Sequence, residues 1–387
     1  MSDCQKLIAG EWVEVRSKEE ILATLDSKGQ IEGLPFMPEM FACCGRRFRV
    51  QKRAHKTCDT ISGMYEGRSM KDAVHLHDLR CNGKAHGGCE AGCLIFWKEA
   101  WLRKVSGPDT APDVATGKTC SASNGNSTGC SEADVIRNAR IAGQNESEEP
   151  VYVCQTTELL SATRRLSPWD TRQYFEDISS GNVGLGRMVN GFIYMGYKWL
   201  VETIRGRGAR ALRRLYDATA GLRGGYPYPR RRGTVATGVQ TPTGRLNLQP
   251  GELVRVKSHQ AILATLDDRN RNRGLLFDAE MVPFCGRTYR VLKCVTRIVD
   301  EKTGRMIPMK TPCVILEGVV CEARYSSCRL FCPRGLYSYW REIWLERVEE
   351  KNGRTLDFEA GTTTRQQRFS EPDQPGRLSE AEAVRHG

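Results

Sequence analysis

No stretch of the 387-residue chain supplies the roughly 20 consecutive apolar residues that a membrane-crossing helix needs. The most apolar part, Met188 to Ile204, is interrupted by Lys198, so no spanning helix is expected. The start of the chain also lacks a basic segment followed by an apolar core and a cleavage site, since Ile8-Ala9 runs straight into Gly10-Glu11, and this predicts a cytoplasmic protein. A phosphate-binding loop, a His-Glu-x2-His helix and a dinucleotide glycine fingerprint are all missing, and with them the usual signatures of three enzyme classes. Cys-x2-Cys is missing as well, which removes the zinc-ribbon knuckle and the common ferredoxin spacings.

Cysteine itself is abundant. Sixteen cysteines in a reducing compartment point to metal ligation or buried thiols rather than to a disulfide framework. Their arrangement follows an internal repeat: residues 10–105 and 251–348 are two divergent copies of one unit. Gly10-Glu11-Trp12-Val13-Glu14-Val15 returns as Gly251-Glu252-Leu253-Val254-Arg255-Val256, and Ile21 to Asp26 returns as Ile262 to Asp267, both 241 positions on. Each copy closes on Trp-x3-Trp-Leu, at Trp97 and Trp101 and at Trp340 and Trp344. What two diverged copies still share is what the unit needs or has not yet lost.

Four cysteines keep their places in both copies, giving the candidate metal sets Cys44, Cys81, Cys89, Cys93 and Cys285, Cys321, Cys328, Cys332. Four thiolates complete a tetrahedral zinc site or hold an iron-sulfur cluster; zinc is favoured because it asks only for soft ligands. On a helix, the last two members of each set would share one face. The alternative is that these are buried thiols acting as small apolar groups. The histidines are not shared: His75, His77 and His86, together with Cys58, are additional metal candidates peculiar to the first copy, and the bland reading makes them loop or surface residues. Cys130 and Cys154 flank the middle of the chain and could meet as a pair.

Alternation at Val13 and Val15, and at Phe48 and Val50, predicts strands, with a helical turn over Glu19 to Leu25 between them. The openings GEWVEV and GELVRV resemble the first strand of SH3-like barrels. The expected fold is therefore α+β: two small SH3-like β-barrel repeats with bound metal, bracketing a helical segment. The expected bounds are 8–105 for the first repeat, 106–133 for a disordered linker and 134–222 for the helical segment. They continue with 223–246 for a basic Gly/Pro linker, 247–349 for the second repeat and 350–387 for a disordered tail. Within the helical segment, Thr156 to Arg165 and Trp169 to Ile178 are shorter helix candidates.

The net charge of +12 permits attraction to phosphates without choosing their source. Nine arginines against one acidic residue fall between Thr203 and Arg232. Of these, Arg205, Arg207, Arg210, Arg213 and Arg214 interleave with Ala209, Ala211, Leu212 and Leu215, an amphipathic pattern suited to an anionic membrane surface or to nucleic-acid phosphates, with a solvated helix face as the plain alternative. The nearby Tyr194, Tyr197 and Trp199 tilt the expectation toward membrane. The segments GLPFMPEM...CGRRFRV, LRCNGKAHGGCEAGCLIFWKEAWL and SATRRLSPWDTRQYFEDISSGNV resemble a group of uncharacterised bacterial cysteine-rich proteins, over residues 10–105 and about 150–185. That resemblance implies no particular activity. The leading expectation is a metal-binding repeat protein, zinc or iron-sulfur, with an accessory role and a protein or membrane partner. The alternatives are a metalloenzyme or redox protein working from the first-copy Cys/His cluster, and a basic nucleic-acid-binding protein.

Overall fold

The computed structural model describes residues 6–62, 66–108, 129–142, 149–204, 206–326 and 328–349. Most of the expected linker and all of the expected tail thus lie outside the described residues, as does Arg205.

Alternating burial builds the first sheet. Val13 and Val15 are fully buried on β1 (Trp12–Val15), which sits between β2 (Arg47–Arg53) and β5 (Leu102–Val105), and the sheet continues through β3 (Ala73–Leu76) to β4 (Trp97–Lys98). The order is β4-β3-β2-β1-β5, all antiparallel, with Val13 opposite Phe48 and Lys104. The second copy follows the same plan with β6 (Leu253–Val256), β7 (Thr288–Val299), β8 (Met306–Val320), β9 (Tyr337–Trp340) and β10 (Leu345–Arg347), in the order β9-β8-β7-β6-β10. Neither sheet closes. Among the described residues the outermost strands of a sheet do not pair with each other, so the barrel expected from the sequence is instead an open five-stranded sheet. The two-residue strand β4 gives way at once to a 3-10 turn, Glu99–Trp101, and is too short to ladder onward.

Those 3-10 turns have a packing purpose. In the first copy Phe36 meets Trp97 and Trp101 edge-on at 6.3 and 5.1 Å; in the second, Phe277 meets Trp340 and Trp344 at 6.1 and 5.3 Å. Edge-to-face contact of this kind adds to the burial of large apolar surface. All four tryptophans are fully buried, and each trio anchors its own core.

The middle of the chain forms α1 (Arg172–Ser179), α2 (Leu185–Thr203) and α3 (Arg207–Ala218). The helix expected over Thr156 to Arg165 does not form. Two isolated helix-like bonds form there, from Glu158 N to Cys154 O and from Ala162 N to Glu158 O, but Arg164–Leu166 turns extended and pairs with Gly67–Ser69, which pairs in turn with Lys56–Cys58. Backbone pairing with a waiting edge outweighs the weak local helix preference of this β-branched and polar stretch. The expected linker 223–246 is packed: Tyr228 is buried, and backbone groups from Arg231 to Pro242 bond to Leu263, Leu266, Asn270 and Asn272.

The copies differ most beyond the second strand. In the second copy β7 and β8 run on as one long hairpin, whose tip bonds through Gly304 O to Tyr152 N. The Glu90 carboxylate of the first copy accepts from Thr296 N and Arg297 N on the same hairpin.

Candidate functional site

Three donor groups of the first copy converge. Glu39 is carried by the 3-10 turn Pro38–Cys43, whose start is set by proline at its first position. Cys81 follows β3, and His86 ends the 3-10 turn Lys84–His86. Gly83 and Gly87, both left-handed, bracket that turn; a Cβ on Gly83 would overlap the Cys89 carbonyl at 1.9 Å, so only glycine allows the fold-back. The Cys81 Sγ lies 2.9 Å from Glu39 Oε1 and 3.9 Å from His86 Nδ1, and His86 Nδ1 lies 3.6 Å from Glu39 Oε1. One donor atom from each residue falls within 4.8 Å of the others, the one such group of three or more among the described residues.

The environment is dry. The His86 and Glu39 side chains are 1% and 6% exposed, and Glu39 Oε2 is buried with no partner. His86 Nε2 sits 3.1 Å from the Val153 carbonyl, so Nε2–H donates there and Nδ1 is the nitrogen that faces Cys81 and Glu39. Burial, followed by the Glu39 carboxylate, holds the Cys81 thiol well above its usual range. A carboxylate pressed against a thiol in low dielectric favours the proton on sulfur, donated to Glu39, unless a cation is present to take both as anions.

The expected four-cysteine sets are not gathered into four-thiol centres. Cys44 follows the turn that carries Glu39, but its charged neighbours are Lys18, Glu19 and Glu132. Cys89 accepts a hydrogen bond from Val299 N of the second copy, and no helix forms through Cys89 and Cys93. Cys93 is pushed up to about 12, first by burial and then by the Glu301 charge, and it lies near Cys154 and Cys89. In the second copy Cys285 is likewise raised to about 12 by burial, and Cys328 is placed with its carbonyl against Gly67. Cys321 and Cys332 do come together, but around Cys58 of the first copy. The Cys58 thiol is pulled down to about 5, chiefly by a hydrogen bond from Cys332 and then by the charges of Arg334 and Arg329 acting against burial.

His75 is buried beside Phe96 with Nδ1 2.9 Å from the Ile95 carbonyl, and burial pushes it down to about 3. His77 is half-exposed beyond the end of β3, so neither joins Cys81. Cys130 and Cys154 are free thiols in different surroundings, Cys130 beside Asp134 and Asp26 and Cys154 hydrogen-bonded to Thr156. On α3, Arg207, Arg210 and Arg214 are exposed, whereas Arg213 lies over the Tyr228 ring at 5.8 Å.

Two features escaped the sequence reading. Glu39 and Glu280 occupy matching places 241 residues apart in Pro-Glu-Met and Ala-Glu-Met, a signal present in the repeat but overlooked beside the cysteines. The Cys58–Cys332 contact joins residues 274 positions apart and had no local signal. No protein-family model, curated protein or solved structure matches the chain.

Proposed function

We propose that this is a metal-binding repeat protein in which the first copy holds one zinc ion through Glu39 Oε1, Cys81 Sγ and His86 Nδ1. The convergence of three chemically different donors, His86 buried and Glu39 and Cys81 half-buried, one bearing a buried oxygen with no partner, carries this reading. Ordinary zinc bond lengths place tetrahedral donor atoms about 3.3–3.6 Å apart, so the Cys81–Glu39 pair must open by roughly 0.6 Å while the two distances to His86 Nδ1 close by about 0.3–0.4 Å. One thiolate with imidazole and carboxylate suits zinc better than an iron-sulfur cluster, which draws mainly on thiolates. The strand order, with the first strand between the second and the last and a 3-10 turn before the last, supports an SH3-like unit as the scaffold. Three protein ligands leave a fourth position for water, so the role is accessory unless a substrate reaches it. Cobalt titration of metal-free protein tests this: one ion per chain with a sulfur-to-cobalt charge-transfer band is expected, lost in Cys81→Ser. A chain that binds no ion, or binds it equally well in Cys81→Ser and His86→Ala, overturns it.

A second reading rests on a separate observation. Leu185, Val189, Phe192, Ile193, Trp199 and Leu200 form one exposed face of α2, with Ile193 and Trp199 at 64% and 67% exposure, beside the exposed arginines of α3. We infer that this face rests on an anionic membrane surface, apolar side down. No helix among the described residues is long and apolar enough to cross a membrane. Flotation with phosphatidylserine vesicles should fall sharply in Ile193→Ser/Trp199→Ser. Unchanged flotation, together with salt-sensitive RNA retention that depends only on the α3 arginines, would favour nucleic acid instead.

A further inference from the structure

We propose that Cys58 and Cys332 are a peroxide-reactive dithiol, Cys58 the attacking thiolate and Cys332 the thiol that resolves it, closing a disulfide between the two copies. The pair lines a narrow recess together with Cys321, Glu280, Arg329 and Arg334, and forms a small buried cluster with Ala323, separate from the Glu39 group. Cys58 and Cys332 are 4% and 6% exposed, so only a small reactant reaches them.

The surroundings of Cys58 suit a thiolate. Arg334 Nη1 lies 3.8 Å from its sulfur and donates to its carbonyl at 3.1 Å, and the buried Cys332 packs in the same cluster as Cys58. A thiolate is the nucleophilic form of cysteine, and neighbouring guanidinium groups favour it. The charge of Arg334 is already matched by Glu301 at 3.1 Å, and Arg329 by Asp278 at 3.4 Å. Paired in this way, the two guanidiniums do not offer a cradle for a dianion such as phosphate. A second thiol against the first is, by contrast, what a sulfenate needs in order to be resolved.

The chemistry balances with a hydroperoxide as oxidant. The Cys58 thiolate attacks the distal peroxide oxygen; the O–O bond breaks, the alkoxide or hydroxide leaves and takes up a proton, and Cys58 becomes a sulfenic acid. The Cys332 sulfur, losing its proton, then attacks the Cys58 sulfur; the S–O bond breaks and water leaves. In sum, two thiols give up two electrons and two protons, and the hydroperoxide is reduced to an alcohol, or to water, plus one further water.

The test uses the full chain, treated with chelator so that it reads independently of the zinc site, exposed to one equivalent of hydrogen peroxide, alkylated and mapped by peptide mass spectrometry. A Cys58–Cys332 linked peptide in the wild-type protein is expected. In Cys332→Ser, a sulfenate at Cys58 trapped by dimedone is expected; in Cys58→Ser, Cys332 should remain an unmodified thiol. If Cys58 and Cys332 are oxidised no more than the buried Cys313, or if Cys58 proceeds to sulfinate while Cys332 stays free, the proposal is overturned. The wild-type map decides the matter without any variant that must fold.

Discussion

The two copies place a glutamate at the same point of the same 3-10 turn and use it differently. Glu280 in the second copy accepts from Arg324 N and Tyr325 N at 2.8 and 2.5 Å, so both of its oxygens are satisfied by backbone. Glu39 in the first copy faces Cys81 and His86 and keeps one oxygen without a partner. The position of His86 is taken in the second copy by Tyr325 or Ser326, in a segment whose backbone folds up to the carboxylate. One backbone plan thus yields a satisfied structural acid in one copy and a group open to a cation in the other.

The scaffold offers the largest way to break that equivalence. Trp101→Ala and Trp344→Ala should each cost about 3–5 kcal/mol in urea denaturation, since each empties the centre of its core. The conservative pair separates them. Trp344 Nε1 donates to Thr265 Oγ1 at 2.9 Å, while Trp101 Nε1 is buried without a partner. Trp344→Phe should therefore lose about 1 kcal/mol more than Trp101→Phe. Equal losses would mean that the two cores do not differ in this bond.

The glutamates give the next effect. Burial pushes Glu280 up to about 7 from an ordinary 4.5, despite its two backbone bonds. Between those values the folded chain holds a proton that the unfolded chain has released, so stability from this group falls as pH rises from about 4.5 to 7. It stays lower above that range, by about 3 kcal/mol in all. Glu280→Gln should flatten this part of the stability–pH curve measured by thermal unfolding. A slope that persists unchanged would assign it to other groups.

Metal affinity should divide the copies more modestly in free energy but more sharply in function. Cys81→Ser or His86→Ala should weaken zinc binding by at least about a hundredfold, beyond what loss of an outer-shell partner causes, while Cys321→Ser leaves it unchanged. Competition titration against a chelator reads both. Equal weakening in the two copies would remove the distinction between Glu39 and Glu280.

How much of this was legible depends on the distance over which each feature is encoded. The buried alternation of Val13 with Val15 and of Val254 with Val256 gave the first strands, and the trailing tryptophans marked the cores, because period-two patterning and large apolar groups are local signals. Thr156 to Arg165 misled because the edge that it joins, Gly67–Ser69, lies almost a hundred residues away. The shared cysteines drew attention to Cys44 and Cys285, which matching position in the sequence does not bring to Cys81 or Cys321. Cys58, unshared, looked like an extra ligand for the first copy and instead meets the second, since sequence spacing carries no information about how two copies dock.

The smallest expected difference concerns how each copy starts its first helical turn. Ser17 accepts from Glu20 N, and the Glu20 carboxylate accepts in return from Ser17 N, a reciprocal capping box over Lys18–Leu22. Ser258 accepts from Ala261 N over His259–Leu263, but alanine at that third position has no side chain to return the bond. Ser17→Ala should cost about 1 kcal/mol, whereas Ser258→Ala removes only the single bond and should cost somewhat less. Because Ala261 is exposed, Ala261→Glu can install the missing half of the box, with an expected gain of a few tenths of a kcal/mol on the scale of other exposed helix pairs. Urea denaturation of the four proteins would read the series. A destabilised Ala261→Glu would show that the second copy's turn does not present Ser258 N to its third residue as the first copy presents Ser17 N.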